Sequence, residues 1–142
     1  MVAIAVLAIG HVAIGAGFQQ ATSGVAVGRG ETTAVFLAEQ RLEQLKAQAL
    51  TNFTAVLLNA GTTTEYCAGA AACQSTAIAN VPSYVRVTTI TDVANAAITG
   101  CPVTPLSCKE VLVRVTYRPV TSSADLSQQR IVDVFATLSP RN

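Results

Sequence analysis

The N-terminal segment of the chain carries no charge and is almost wholly apolar. From Met1 to Gly28 there is no Asp, Glu, Lys or Arg, and Met1–Phe18 is apolar at every position except His11. As a helix this segment would span about 27 Å, close to the roughly 30 Å hydrocarbon core of a bilayer. No basic residue precedes it, and it exceeds the apolar region of about 7–15 residues in a secretory signal peptide. The sequence predicts a membrane-competent helix that is retained.

The composition excludes several classes of function. Hydrophobic residues make up 51% of the chain and charged residues 12%, against about 25% charged residues in an ordinary soluble domain, which excludes intrinsic disorder. The net charge of +1 favours no nucleic-acid partner. With one His and no G-x-S-x-G or phosphate-cradling glycine motif, the sequence predicts neither an enzyme nor a bound cofactor or metal.

A second helical segment follows directly. Glu31–Leu50 is rich in strong helix formers, and its apolar stripe steps by three and four residues through Val35, Ala38, Leu42, Leu45 and Ala49. No proline occurs before Pro82. A continuous helix from Met1 to Leu50 would be about 75 Å long, whereas a compact domain of this chain length has a radius of gyration near 14 Å. The helix is therefore expected to protrude.

Small residues are concentrated in the apolar half of this helix. Six of the 9 glycines lie in the first 30 residues, and small residues let helix backbones approach closely. We predict helix packing and assembly through Ala3, Ala8, Gly10, Ala13, Gly15, Gly17 and Phe18. His11 is either a functional intramembrane group or a neutral imidazole hydrogen-bonded between packed helices, and the second interpretation is favoured.

The remainder of the chain has the alternation of β-strands. Tyr84–Asp92, Glu110–Arg118 and Gln129–Leu138 are the predicted strands. They predict an antiparallel meander whose apolar face packs on the amphipathic half of the helix, an α+β fold. The domain plan is an apolar helix half over residues 1–30 and a globular domain over 31–142. That domain comprises helix 31–52, an unassigned connection 53–80 and the meander 81–142.

Four cysteines form two closely spaced pairs, Cys67 with Cys73 and Cys101 with Cys108. Four cysteines allow three pairings, and the sequence does not choose among them. Neither spacing matches the C-x2–4-C typical of zinc sites. We therefore expect disulfides, each stabilising by about 2–2.5 kcal/mol if the pairing is local, in an oxidising compartment.

The opening VAIAVLAIG and the later LAEQRLEQLKAQAL resemble the N-terminal helix of type IV pilins and type II secretion pseudopilins. The closest resemblance is to minor pilins, in which Ala-Glu-x-x-Leu-Glu-x-Leu recurs, here at Ala38, Glu39, Leu42, Glu43 and Leu45. The resemblance covers residues 1–50. It implies a long protruding helix on a small antiparallel sheet with disulfide-closed loops. It also implies a subunit held in the bacterial inner membrane and then assembled, with itself and other pilins, into a cell-surface filament.

One part of the family pattern is missing. Pilins carry a short basic leader ending in Gly, followed by Phe-Thr-Leu-x-Glu. This chain has Ala5 near its start and no carboxylate before Glu31, so neither the leader-peptidase site nor the acidic residue maps onto any position. The resemblance aligns best if Met1 lies just downstream of that motif.

Two further hypotheses compete with the filament subunit. Arg86, Arg114 and Arg118 on neighbouring strands could form a basic face for DNA or a protein partner, but a solvated sheet face is the simpler interpretation.

The second function hypothesis is a monomeric membrane-anchored module that binds a ligand at the cell surface through its β-domain and disulfide loops. The Ala- and Gly-rich helix favours the filament, because a simple anchor needs only apolar residues.

Overall fold

A single long helix and five strands make up the computed structural model, which describes residues 2–78, 83–93, 101, 108–119 and 128–140. The side chains of residues 2–20, 23 and 83 lie outside that description. Helix α1 spans Val2–Thr51, and a short 3-10 helix, η1, spans Val56–Leu58. The strands are β1 (Gly61–Ala68), β2 (Cys73–Gln74), β3 (Ser83–Val93), β4 (Cys108–Tyr117) and β5 (Arg130–Leu138). The strand order is β2-β1-β3-β4-β5, and all neighbouring pairs are antiparallel.

The predicted α+β arrangement is confirmed, with one long helix on an antiparallel sheet. The meander corresponds to β3, β4 and β5, and each predicted strand agrees with the observed one within two residues at either end. The inner face of β4 consists of alternate residues, Val111, Val113, Val115 and Tyr117, which are all buried. Strict alternation on a half-buried strand fixes this register, since a slip of one residue would turn every valine to the outer face.

The connection to which the sequence assigned no structure contains two further strands. β1 begins Gly-Thr-Thr-Thr-Glu-Tyr, and its β-branched threonines suit a strand. They give no apolar alternation, so no local pattern in the sequence predicts this strand. The turn from β1 to β2 contains Gly69 at φ +60°, a left-handed conformation that glycine adopts without steric cost.

The core lies between the C-terminal half of α1 and the inner face of β3, β4 and β5. On the helix, the predicted stripe residues Ala38, Leu42, Leu45 and Ala49 are buried. Val35 is only half-buried, and Ala34 and Leu37 are buried instead. The buried face is wider than a narrow stripe because the helix lies across several strands. Phe53 and Leu58, which follow the helix, close the core at its end.

Helix α1 is continuous, as the absence of proline predicted. A 50-residue helix is about 75 Å long, whereas the longest strand, with 11 residues, extends about 36 Å. The sheet therefore covers no more than part of the helix. The predicted membrane-competent segment, Met1–Phe18, lies where side chains are not described, and in the described part no helix is long and apolar enough to cross a membrane.

Candidate assembly surface and helix anchor

Among the described side-chain positions of α1, Gly30 is the first that is buried. The helical positions just before it, from Ala21 on, are exposed or half-buried where they are described. Gly30 itself is buried against the Tyr117 ring, and a Cβ added there would lie 2.7 Å from Tyr117 Cε2. The absence of a side chain at this position thus allows the helix backbone to lie directly on the aromatic ring.

Tyr117 is buried and packs against a second aromatic ring at this point. Its ring stacks on Tyr84 with the centroids 5.4 Å apart and an interplanar angle of 26°, a separation that suits an offset aromatic pair. Burial, and secondly the charge of Glu31, raise the pKa of the Tyr117 hydroxyl. Two tyrosines and one glycine therefore define the place at which the helix leaves the domain.

Two threonine side chains bond back to helix carbonyls next to this point. The hydroxyl of Thr32 donates to the carbonyl of Gly28 and that of Thr33 to the carbonyl of Arg29, both at 2.9 Å. Glycine weakens a helix interior by up to about 1 kcal/mol relative to alanine. The two bonds connect the carbonyls of Gly28 and Arg29 to threonines one helical turn later, in the part of the helix that the sheet covers.

Apolar side chains are exposed on the helix face that points away from the sheet. Val25, Phe36 and Leu50 are large, apolar and exposed. Phe36 lies in a shallow groove together with Glu31, Thr32, Val35 and Glu39. We define Val25, Phe36 and Leu50 as the outer helix face, the described surface that another helix could contact.

An ionic cluster fixes the helix to the sheet. Arg86 on β3 donates through Nη1 to the backbone carbonyl of Leu37 in α1 at 3.0 Å. Its Nε and Nη2 atoms each lie 3.0 Å from Oε2 of Glu65 on β1. The Arg86 side chain is only 4% exposed. Because a buried guanidinium needs its hydrogen bonds satisfied, this arrangement ties α1, β1 and β3 together.

Both predicted cysteine pairs are disulfides, Cys67–Cys73 and Cys101–Cys108. The first joins β1 to β2 at a paired register position, and Cys67 is fully buried in the core. The second joins Cys101 to the first residue of β4. The sequence allowed three ways to pair the four cysteines. The fold uses the local pairing, in which each cysteine is bonded to its nearest neighbour in the chain.

The three arginines do not form one basic face. Arg86 is buried on the side of the sheet that faces the helix, and Arg114 on β4 is exposed on the opposite side. There Arg114 makes a two-pronged pair with Asp133 on β5, with both N–O distances 2.8 Å, which lowers the pKa of the Asp133 carboxyl. Arg118 follows the end of β4 and is exposed. The hypothesis of a shared basic face is wrong, because alternation places Arg86 and Arg114 on opposite faces.

The predicted assembly residues Ala3, Ala8, Gly10, Ala13, Gly15, Gly17 and Phe18, together with His11, lie in the helical region whose side chains are not described. Their roles stay predictions. No local pattern in the sequence distinguishes Gly30 or predicts the bond from Arg86 to Leu37. The opposite charges of Glu65 and Arg86 are a sequence signal for the ionic cluster around Arg86. Their pairing depends on β1, however, and the sequence pattern does not reveal that strand.

Within the described ranges there is no cluster of three or more His, Cys, Asp or Glu side chains that could hold a metal ion. Comparison with protein-family models, with curated proteins and with solved structures gives no match. The class of protein is therefore defined by the fold itself: an α+β chain with one long helix on a five-stranded antiparallel sheet and two disulfides.

Proposed function

We propose that the chain is a structural subunit of a type IV pilus-like or pseudopilus filament that polymerises through its N-terminal helix. The subunit is held in the bacterial inner membrane before assembly and lies in a cell-surface filament afterwards. It acts without catalysis, and its main partners are further copies of itself, with other pilins as additional ones.

The observation that carries the proposal is the division of the single helix at Gly30. A continuous helix runs from Val2 to Thr51, and among its residues whose side chains are described Gly30 is the first that is buried, against the Tyr117 ring. About 28 residues precede that contact, equal to roughly 42 Å of helix. They contain no charged residue before Arg29. A helix half of this length and composition requires an apolar environment, which a lipid bilayer or the neighbouring helices of a filament can supply.

The anchor between helix and sheet supports the same proposal. A filament subunit must transmit force between its helical core and its outer domain without the two separating. Arg86 joins the helix backbone to β1 and β3, while the leucines of α1 pack on the valines of β4. The helix is thus connected to the sheet by an apolar core and by a buried ionic cluster together.

The test is negative-stain electron microscopy of material sheared from expressing cells, with mass spectrometry of the intact subunit. We expect thin, uniform filaments that contain this chain. Gly10→Leu and Gly15→Leu should abolish them while the β-domain still folds and forms both disulfides, because leucine would separate closely packed helices. Ala72→Leu is the matched control: it adds bulk at an exposed position of the turn between β1 and β2, outside the helix, and should leave filaments intact. Normal filaments from both glycine variants would refute assembly through these positions.

The outer face of the sheet favours a second candidate, the membrane-anchored binding module. Phe135 on β5 is 72% exposed and lies opposite Leu112 of β4. Both residues line an open cleft of about 680 Å³ that also contains Thr89 and Glu110. An exposed aromatic side chain in a cleft is typical of binding surfaces. Absence of filaments, with the chain present only as a membrane-bound monomer, would favour this candidate over the first.

A further inference from the structure

The direction of β4 distinguishes the two ends of the domain. Lys109, near the start of β4, has its Nζ atom 5.6 Å from the centre of the Phe53 ring, just beyond the C-terminal end of α1. Tyr117, the last residue of β4, contacts the helix at Gly30. β4 therefore runs antiparallel to α1. We call the end marked by the contact between Gly30 and Tyr117 the exit end, because the uncharged N-terminal segment of the chain precedes it directly.

Three arginines lie at the exit end, and we call them the exit arginines. Arg29 precedes Gly30 in the helix, and Arg118 follows Tyr117 directly; both are exposed. Arg130 is half-buried, is the first residue of β5 and pairs across the sheet with Tyr117. Each exit arginine is therefore one position away, along the chain or across a strand pair, from the contact between Gly30 and Tyr117.

None of the exit arginines has a carboxylate partner among the described residues. The other described basic residues all form ion pairs within the domain, and they are Arg41, Lys46, Arg86, Lys109 and Arg114. One carboxylate outside these pairs, Glu31, adjoins Gly30. Glu39 lies about 13 Å further along the helix, and Glu110 lies near the opposite end of β4. The described part of the exit end thus has an excess of two positive charges.

The location of this charge specifies its partner. If the N-terminal half of α1 lies in a bilayer before assembly, the exit arginines follow the last uncharged turn of the helix and lie at the membrane surface. Anionic lipid headgroups attract basic residues there, and a guanidinium group binds phosphate oxygens in pairs. Tyrosine, present here as Tyr117 and Tyr84, is also enriched at this level of membrane proteins. A single carboxylate would neutralise one charge, whereas a lipid surface presents many phosphates.

We propose that the exit arginines bind the headgroups of anionic phospholipids and hold the domain at the surface of the inner membrane before assembly. The proposal rests on the proposed function, since it requires the N-terminal half of α1 to lie in the bilayer. The partner is a lipid surface whose phosphodiester headgroups carry a net negative charge, as phosphatidylglycerol does. Each arginine at such a surface raises the affinity about fivefold, and Glu31 opposes them.

The test is native mass spectrometry of the full chain, released from micelles of an uncharged detergent. Phosphatidylglycerol and phosphatidylcholine with the same acyl chains are titrated separately, and the abundance of lipid-bound chain gives the dissociation constant of the first bound lipid. We expect phosphatidylglycerol to bind at least about tenfold more tightly than phosphatidylcholine, and higher salt should reduce that preference. Glycerophosphoglycerol, the same headgroup without acyl chains, should not displace the lipid at equal concentration.

Single variants assign the preference to the exit end. Arg118→Gln and Arg130→Gln should each lower the affinity for phosphatidylglycerol about fivefold and leave that for phosphatidylcholine unchanged. Glu31→Gln should raise the affinity by a similar factor, because it removes the opposing charge; a general disturbance of the fold would not produce opposite signs. Arg114→Gln is the matched control on the outer face of the sheet and should bind as the unaltered chain does. Arg118 is exposed, so its variant tests the site even if Arg130→Gln fails to fold.

Four results would overturn the inference. The first two are equal affinity for the two lipids and unchanged affinity in both Arg118→Gln and Glu31→Gln. The third is displacement by glycerophosphoglycerol, which would identify a site for a free phosphodiester. The fourth is a lipid-independent dimer that Arg118→Gln abolishes, which would identify acidic side chains of a second copy as the partner. Each leaves the filament subunit standing if filaments form, whereas a chain that forms no filaments and binds neither lipid refutes both proposals.

Discussion

Replacing Gly30 by alanine tests how closely the helix approaches the sheet. A Cβ at this position would lie 2.7 Å from Cε2 of Tyr117 and 3.2 Å from its Cδ2, well inside normal contact. The ring cannot move freely, because Tyr117 is buried in the core and stacks on Tyr84. Overpacking of this kind costs about 1–3 kcal/mol. Alanine is at the same time better than glycine in a helix by about 1 kcal/mol.

The two effects have opposite signs, and the steric one is larger. We expect Gly30→Ala to lower the free energy of unfolding by about 1 kcal/mol. Gly28→Ala provides the matched control, because a Cβ there meets nothing within 4 Å; that variant should gain up to about 1 kcal/mol. The melting temperatures of the two variants should then differ by roughly 4–8 °C for a chain of this size.

The assay is thermal and urea denaturation in non-ionic detergent, followed by far-ultraviolet circular dichroism and by tyrosine fluorescence, which is usable because the chain has no Trp. A double-mutant cycle with Tyr117→Leu assigns the cause. With the smaller leucine side chain present, Gly30→Ala should become neutral or stabilising. If Gly30→Ala stabilises the chain as much as Gly28→Ala does, the proposed contact with Tyr117 is wrong.

Three further predictions follow from individual contacts. Arg86→Gln should lower the free energy of unfolding by about 3 kcal/mol, because it removes the bonds to Leu37 and Glu65 and leaves the Glu65 carboxylate largely buried. Urea unfolding measures this free energy. A loss as small as that caused by substituting an exposed residue would contradict the prediction. Arg114→Gln should weaken the dependence of stability on pH. The bond from Arg114 lowers the pKa of Asp133 from its ordinary value of 3.8, so the pair stabilises the fold above that value and loses its contribution as pH falls through the lowered pKa. Urea midpoints of the unaltered chain and Arg114→Gln should thus differ at pH 7 and converge in acid, and a constant difference would argue against the pair. Replacing Cys67 and Cys73 by serine should lower the free energy of unfolding by at least about 2 kcal/mol, because the loop constraint is lost. The melting temperature should fall accordingly, and reductant should have no further effect through this bridge. An unaltered melting temperature would show that the bridge contributes nothing to stability.

Local patterns predicted the parts of the fold that alternate or repeat regularly. The valines of β4 and the leucines of α1 identify their own buried faces, because burial and periodicity coincide there. β1 was missed because Thr62, Thr63 and Thr64 are equally suited to either face. Its place between β2 and β3 depends on pairing with residues some 20 positions away, which no local window contains.

The anchor could not be predicted for the same reason. Arg86 appeared in the sequence as one of three surface arginines, and nothing local shows that its guanidinium reaches the carbonyl of Leu37, 49 residues earlier in the chain. Gly30 likewise resembled the other glycines of the N-terminal segment. Its role became visible only when Tyr117 was placed against it. Long-range contacts between chemically ordinary residues carry little local signal.

The position of the anchor matters for how a filament subunit would bear force. If the N-terminal half of α1 is held among other helices, a pull on the domain acts along the helix axis and shears the helix against the sheet. The Leu–Val core resists separation strongly but sliding only weakly, because apolar contacts are not directional. The Arg86 bond to the Leu37 carbonyl is directional, and it lies about seven residues, or roughly 10 Å, inside the helix exit at Gly30. A hydrogen-bonded ionic anchor at that depth opposes the sliding motion that the apolar core leaves least restrained, so its loss should weaken a filament under tension more than it weakens an isolated chain.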